Sequence, residues 1–158
     1  MAKPVLRVYA DTSVFGGAFD EEFREASRTF FRQVGEKRFG LVTSAVVQEE
    51  IASAPAEVRK FFESLLPTTD VAEVTEEALS LQAAYLEADI VAPKWAADAL
   101  HVALATTGQC SLIVSWNFAH IVHFDKIALY NAVNVLQGFA RIDIFSPLEV
   151  IAYEDQDV

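Results

Sequence analysis

The chain has 158 residues, a length that fits one domain and leaves little room for a second. Hydrophobic residues make up 53% of it and charged residues 22%, which excludes an intrinsically disordered protein. Acidic residues number 23 against 12 basic, a net charge of −11 that excludes long-range attraction to phosphates but permits a metal site or a basic partner.

A single cysteine, Cys110, excludes an intramolecular disulfide and a cysteine-based zinc site. It fits a reducing, cytoplasmic setting. The first residues lead straight into Val5 to Tyr9, so no signal-peptide core is expected. Ala99 to Phe124 holds no Asp, Glu, Lys or Arg, yet Gly108, Gln109, Ser111, Asn117 and three histidines make it a poor membrane span. It reads as the buried centre of a fold with no membrane partner.

In chain order, Val5 to Ala10 reads as a strand ending at Asp11. Asp20 to Lys37 reads as a helix, with Phe23, Ser27, Phe30 and Val34 at helical spacing. Phe39 to Thr43 is a second strand, and Ser44 caps a helix through Ala52. Pro55 opens a helix over Ala56 to Leu65, and Pro67 closes it. Val71 to Val74 is a short strand. Thr75 caps a helix to about Asp89, with Glu76 and Glu77 in its first turn. Pro93 starts a helix that stops at Gly108. Ser111 to Ser115 is an apolar run of the kind found in central parallel strands. Lys126 to Leu136 is a helix, Arg141 to Phe145 a last strand, and Glu149 to Val158 an acidic tail. Strand–helix alternation without hairpins implies parallel pairing. The expected architecture is a three-layer α/β/α sandwich with a central, mainly parallel sheet of four to five strands. Residues 1–150 form its single domain and 151–158 the tail.

Three carboxylates stand where apolar residues are expected. Asp11 ends the first strand, where open α/β sheets bind ligands. Glu50 falls on the stripe of Val46, Val47, Ile51 and Ala54, whereas Glu49 points the opposite way. Asp98 interrupts a helix that is apolar on nearly every side. A carboxylate on a core-facing stripe is costly without a cation or donors. Structural readings stand beside these: Glu50 bending out to water, Lys94 pairing with Asp98, and His101 hydrogen-bonded in the core. Three acids from three elements repel in one pocket. Mg²⁺ or Mn²⁺ relieves that repulsion through oxygen ligands and water. Such an ion activates water for attack on a phosphoryl group.

The same residues resemble the motifs of the PIN-domain nucleases, including the VapC-like toxins of bacterial toxin–antitoxin pairs. Val8 to Ser13 is similar to the family's opening strand with its Asp-Thr-Ser/Asn motif. Thr43 to Ile51 is similar to the second motif, which selects Glu50. Asp98 to Ala105 is similar to the third. Ile113 to Phe118 is similar to the fourth, where Asn117 stands in place of a frequent acid. The resemblance spans nearly the whole chain. It implies an endoribonuclease that uses Mg²⁺ or Mn²⁺. Asp11, Glu50 and Asp98 would hold the metal, Ser13 would orient an acid, and Asn117 would assist. It also implies an RNA substrate, an antitoxin partner and a homodimer. The loss of one acid at Asn117 bears on a second metal more than on the first.

Other residues carry weaker signals. His120 and His123 are expected at the surface. Trp116 and Phe118 are expected in the core. Arg24, Arg28 and Arg32 form a stripe that Glu21, Glu25 and Glu36 are spaced to neutralise. A PIN-like module active only in binding is one rival. A phosphatase with a strand-end aspartate is another, although Ser13 stands where its second aspartate belongs. No Walker-type loop occurs.

Overall fold

The computed structural model describes residues 5–153. Its centre is a five-stranded sheet in the order β3-β2-β1-β4-β5. The strands are β1 (Leu6–Ala10), β2 (Phe39–Ser44), β3 (Asp70–Ala72), β4 (Leu112–Val114) and β5 (Asp143–Phe145). Every pairing is parallel, so the expected α/β class holds and the sheet is wholly parallel. The chain enters at the middle, moves outward through β2 and β3, then crosses back to β4 and β5. The winding direction therefore reverses between β1 and β4. A crevice opens at such a switch point, outside the carboxyl ends of the strands.

Helices flank the sheet in two groups. The first holds α1 (Thr12–Gly17), α2 (Arg24–Gly35), α3 (Ala45–Ile51), α4 (Ala56–Leu65) and α8 (Pro147–Val150), which contact one another. The second holds α5 (Glu76–Glu87), α6 (Ala96–Thr107) and α7 (Phe124–Leu136), with α5 packed on the other two. The capping expectations hold: the Ser44 hydroxyl accepts from Val47 N–H, and that of Thr75 accepts from Ala78 N–H. These side chains satisfy amides that a helix start otherwise leaves bare. Pro67 lies within a single 3-10 turn over Leu66–Thr68, and Pro93 opens another over Pro93–Trp95 before α6.

Two expectations change. The first expected helix starts later, at Arg24, and a short helix, α1, precedes it. Its two glycines hide α1 from pattern reading, because glycine disfavours helix interiors. Gly17 is there for a packing reason. A Cβ on it would lie 2.6 Å from Ser27 Oγ and 2.8 Å from Trp116 Nε1. The second concerns the expected tail. Residues 147–150 form α8, Ile151 is buried, and the Ala152 backbone exchanges two hydrogen bonds with the Gln33 side chain. Residues 154–158 of the tail lie outside the described residues.

The two sides of the core differ in chemistry. On the α1–α4 side, Phe15, Phe30, Phe31, Phe61 and Phe62 meet edge-on or tilted, with centroids 4.9–5.2 Å apart where Phe31 meets its neighbours. Such aromatic pairs add to area burial. On the α5–α7 side, Tyr85 donates to Asn134, whose amide donates to Thr106 Oγ1 at 3.1 Å. Asn131 bonds both backbone groups of Ile142 at the entry to β5. The one buried polar side-chain atom left without a partner among the described residues is Thr43 Oγ1.

Candidate active site

Asp11 follows β1 directly, and its backbone N–H reaches Val114 O of β4 at 3.3 Å. This sets its side chain at the switch point. The carboxylate is 4% exposed. Oδ1 accepts from the Ser13 hydroxyl at 2.5 Å and Oδ2 from the Ser115 hydroxyl at 2.6 Å. Burial pushes the Asp11 pKa above its ordinary value. Nearby His101 and the two serine bonds oppose that rise without cancelling it. Ser13 also accepts from Trp116 N–H, and Ser115 from Asn117 N–H. The two serines thus fasten the start of α1 to the loop after β4.

Glu50 stands on the last turn of α3 with its side chain 38% exposed, at the rim of the crevice rather than in the core. Oε1 accepts from the Thr12 hydroxyl at 2.7 Å and lies 2.7 Å from His101 Nε2. Burial acts to raise the Glu50 pKa, but the His101 bond and charge, then the Thr12 bond, hold it below the usual glutamate range. The other carboxylate of the pair, Glu49, has no such partner among the described residues. The helical phase that separates the two glutamates is thus seen in their contacts.

Asp98 lies in the first turn of α6, and its Oδ2 is 2.9 Å from His120 Nδ1. Trp95 stacks on the His120 ring, with centroids 4.4 Å apart. Lys94 does not pair with Asp98; its ammonium sits over the Trp95 ring. His120 is accordingly bound into the site, not a free surface group. His123 caps α7 through Asp125 N–H.

His101, one turn along α6 from Asp98, is 3% exposed. It is hydrogen-bonded in the core, as expected, but one of its partners is an acid of the site. Its Nδ1 is 2.7 Å from the Tyr9 hydroxyl, which is 2.8 Å from Ser44 Oγ. Burial alone would depress the His101 pKa. The Glu50 bond and the charges of Asp11, Glu50 and Asp98 outweigh it and hold the value above the ordinary one. Of the three acids, Glu50 is the one that bonds this imidazole. Sequence reasoning missed Tyr9 and Thr12, because a strand tyrosine and a helix-start threonine carry no special pattern.

Among the described residues, no three His, Cys, Asp or Glu side chains are grouped as ligands of one ion. The acids meet hydroxyl and imidazole donors as they lie. Asn117 uses its side-chain oxygen to accept from His120 N–H at 2.9 Å, turning the loop that delivers His120. Trp116 is buried as expected, bonded to Ser27 Oγ and stacked on Phe23. Phe118 is not in the core: it is 46% exposed. It lines a cavity of about 570 Å³ with Phe23, Trp116 and Tyr153. Of the arginine stripe, Arg32 pairs with Glu36 at 3.0 Å. Arg28 turns to Ala18 O and the face of Phe19 instead.

The fold of this chain is shared with solved structures. FitAcB from Neisseria gonorrhoeae matches with a TM-score of 0.58 at 14% identity, over 90% of this chain and 99% of that one. The fold is PIN-like. FitAB bound to the IR36 DNA fragment matches this PIN-like chain with a TM-score of 0.56 at 15% identity, over 93% of this chain and 99% of that one. VapBC2 from Rickettsia felis, bound to a DNA fragment from their promoter, matches with a TM-score of 0.53 at 10% identity, over 72% and 89%. No family model and no curated protein matches the sequence. The likeness therefore lies in backbone architecture.

Proposed function

We propose that this chain is a metal-dependent endoribonuclease that hydrolyses RNA phosphodiester bonds, and the toxin of a toxin–antitoxin pair. One observation carries the reading. Three carboxylates stand on the framework of a PIN-like sheet: Asp11 directly after β1, Glu50 on α3 against His101, and Asp98 on α6 against His120. The antitoxin partner is argued from the matched VapBC and FitAB complexes. The homodimer rests on the sequence resemblance alone.

Mg²⁺ or Mn²⁺ is the proposed cofactor, and the donor chemistry suits it. All three acids offer hard oxygen atoms. Glu50 Oε2 and Asp98 Oδ1 accept no hydrogen bond from the described residues. The acids do not close on one point as they lie. That fits an ion which keeps several waters and takes one or two carboxylates. Asp11, Glu50 and Asp98 are its proposed holders, directly or through water. Such an ion, when bound, would polarise a phosphoryl oxygen and lower the pKa of a water. The chain's own residues set the frame. Ser13 and Ser115 fix Asp11, Thr12 and His101 fix Glu50, and His120 fixes Asp98. Asn117 assists by shaping the loop that carries His120.

The test is cleavage of a mixed RNA pool with Mg²⁺, with Mn²⁺ and with chelator. The expected result is cleavage with either ion, none with chelator, and a loss of about a hundredfold or more in Asp98→Asn. Intact RNA under both metals would defeat the reading and leave a PIN-like binding module. Release of phosphate from monoesters without RNA cleavage would favour the phosphatase instead.

A further inference from the structure

We infer that His101 is a positioning residue for Glu50, held in place by Tyr9. This role rests on the reading of Glu50 as a metal holder. The geometry makes a continuous chain of hydrogen bonds. Ser44 Oγ accepts from Val47 N–H at 3.2 Å, so the hydroxyl proton of Ser44 is free to donate to Tyr9. The Tyr9 hydroxyl lies 2.7 Å from His101 Nδ1, and His101 Nε2–H donates to Glu50 Oε1. Glu50 as a carboxylate only accepts, which fixes the direction of that last bond. The bond at Nδ1 holds the ring in the orientation that presents Nε2–H to Glu50.

The ends of the chain explain its use. Ser44 caps α3 and Glu50 stands on its last turn, so the same short helix is held near both ends by one relay. Tyr9 is wholly buried in the central strand β1, and His101 is buried on α6. Glu50 itself is half-exposed on a side chain with rotational freedom. Without His101, Thr12 is its one remaining partner among the described residues. A rigid buried ring thereby fixes a flexible rim carboxylate. Partners of this kind, one bond removed from a ligand, commonly change metal affinity by about 10–100-fold when removed.

The experiment compares wild type with His101→Leu, His101→Gln and Tyr9→Phe. Glutamine places an amide donor where Nε2 stands. Leucine places none. Tyr9→Phe leaves the imidazole but frees Nδ1. Mn²⁺ affinity is measured by calorimetry without RNA, alongside thermal unfolding and the exchange rate of the imidazole N–H seen by NMR. Expected are a folded His101→Leu with about tenfold or more weaker Mn²⁺ binding, recovery to within about threefold in His101→Gln, and an intermediate Tyr9→Phe. In metal-free wild type, a slowly exchanging His101 Nε2–H is expected, and it should exchange faster in Tyr9→Phe. A merely structural histidine would lower the unfolding temperature and leave Mn²⁺ affinity alone. If His101→Leu does not fold, Tyr9→Phe with wild-type affinity and wild-type exchange overturns the inference. Wild type that binds Mn²⁺ and cleaves RNA, with His101→Gln as poor as His101→Leu, overturns the positioning role and spares the nuclease. Wild type that neither binds Mn²⁺ nor cleaves RNA overturns both.

Discussion

Hydroxyl groups hold this site as much as the acids do. Asp11 is buried with an oxygen on each of two serine hydroxyls, yet burial still leaves its pKa raised. A charge that the fold disfavours costs stability, and it persists only where it is used. Asp11→Asn is therefore expected to raise the melting temperature of the metal-free protein while cutting RNA cleavage about a hundredfold or more. Calorimetry and a cleavage assay on one preparation check both signs. Cys110 shows the contrary case. Burial pushes its thiol up to about 11, with Arg7 opposing only in part. The thiolate is the reactive form, so roughly a thousandth of the thiol is available at pH 8. Alkylation of the native protein at pH 8 should be at least about a hundredfold slower than of the urea-unfolded chain, and should speed up as pH rises toward 11.

Among the elements, α1 has the greatest effect for its length. Its six residues turn the chain away from Asp11 and bring Thr12 and Ser13 back onto the acids. Gly17 at its end allows Ser27 and Trp116 to meet at 2.8 Å beneath the loop that carries Asn117. Gly17→Ala puts a methyl group into that contact. Overpacking of this kind costs about 1–3 kcal/mol, so the urea midpoint should fall by that equivalent. Emission from Trp116 should shift as its indole loses the Ser27 bond. The helix α6 does the remaining work, carrying Asp98 and His101 one turn apart, so that two acids of the site meet one element.

For the whole molecule, charge distribution decides how a polyanion could dock. The net charge is −11, and Phe39 to Pro93 holds ten acids against two basic residues. Met1 to Arg38 is nearly even, with seven basic and six acidic. Its arginines are partly engaged, Arg28 with Ala18 O and Phe19, Arg32 with Glu36. Few phosphates can then be neutralised by side chains. The logarithm of RNA affinity against the logarithm of salt should have a slope of about −1 to −2, well short of broad basic binders. Fluorescence anisotropy of a labelled RNA across a salt series measures it. A steep slope would show that a basic surface does the binding.

By itself the sequence determined the α/β class, the strand–helix alternation apart from the short α1 and α8, the Ser44 and Thr75 caps and the three misplaced acids. Those are local signals: apolar period, capping chemistry and charge out of pattern each act within a few residues. The phase of one helix was sufficient to separate Glu50 from Glu49. Only the tertiary structure decided what the acids face. Thr12, His101 and His120 reach them from residues far apart in the chain, and no periodicity encodes a hydrogen bond across 92 positions such as the one from Tyr9 to His101 behind them. Strand order was equally out of reach. It follows from which edges pair, and that choice alone brings the end of β1, with Asp11, beside the end of β4.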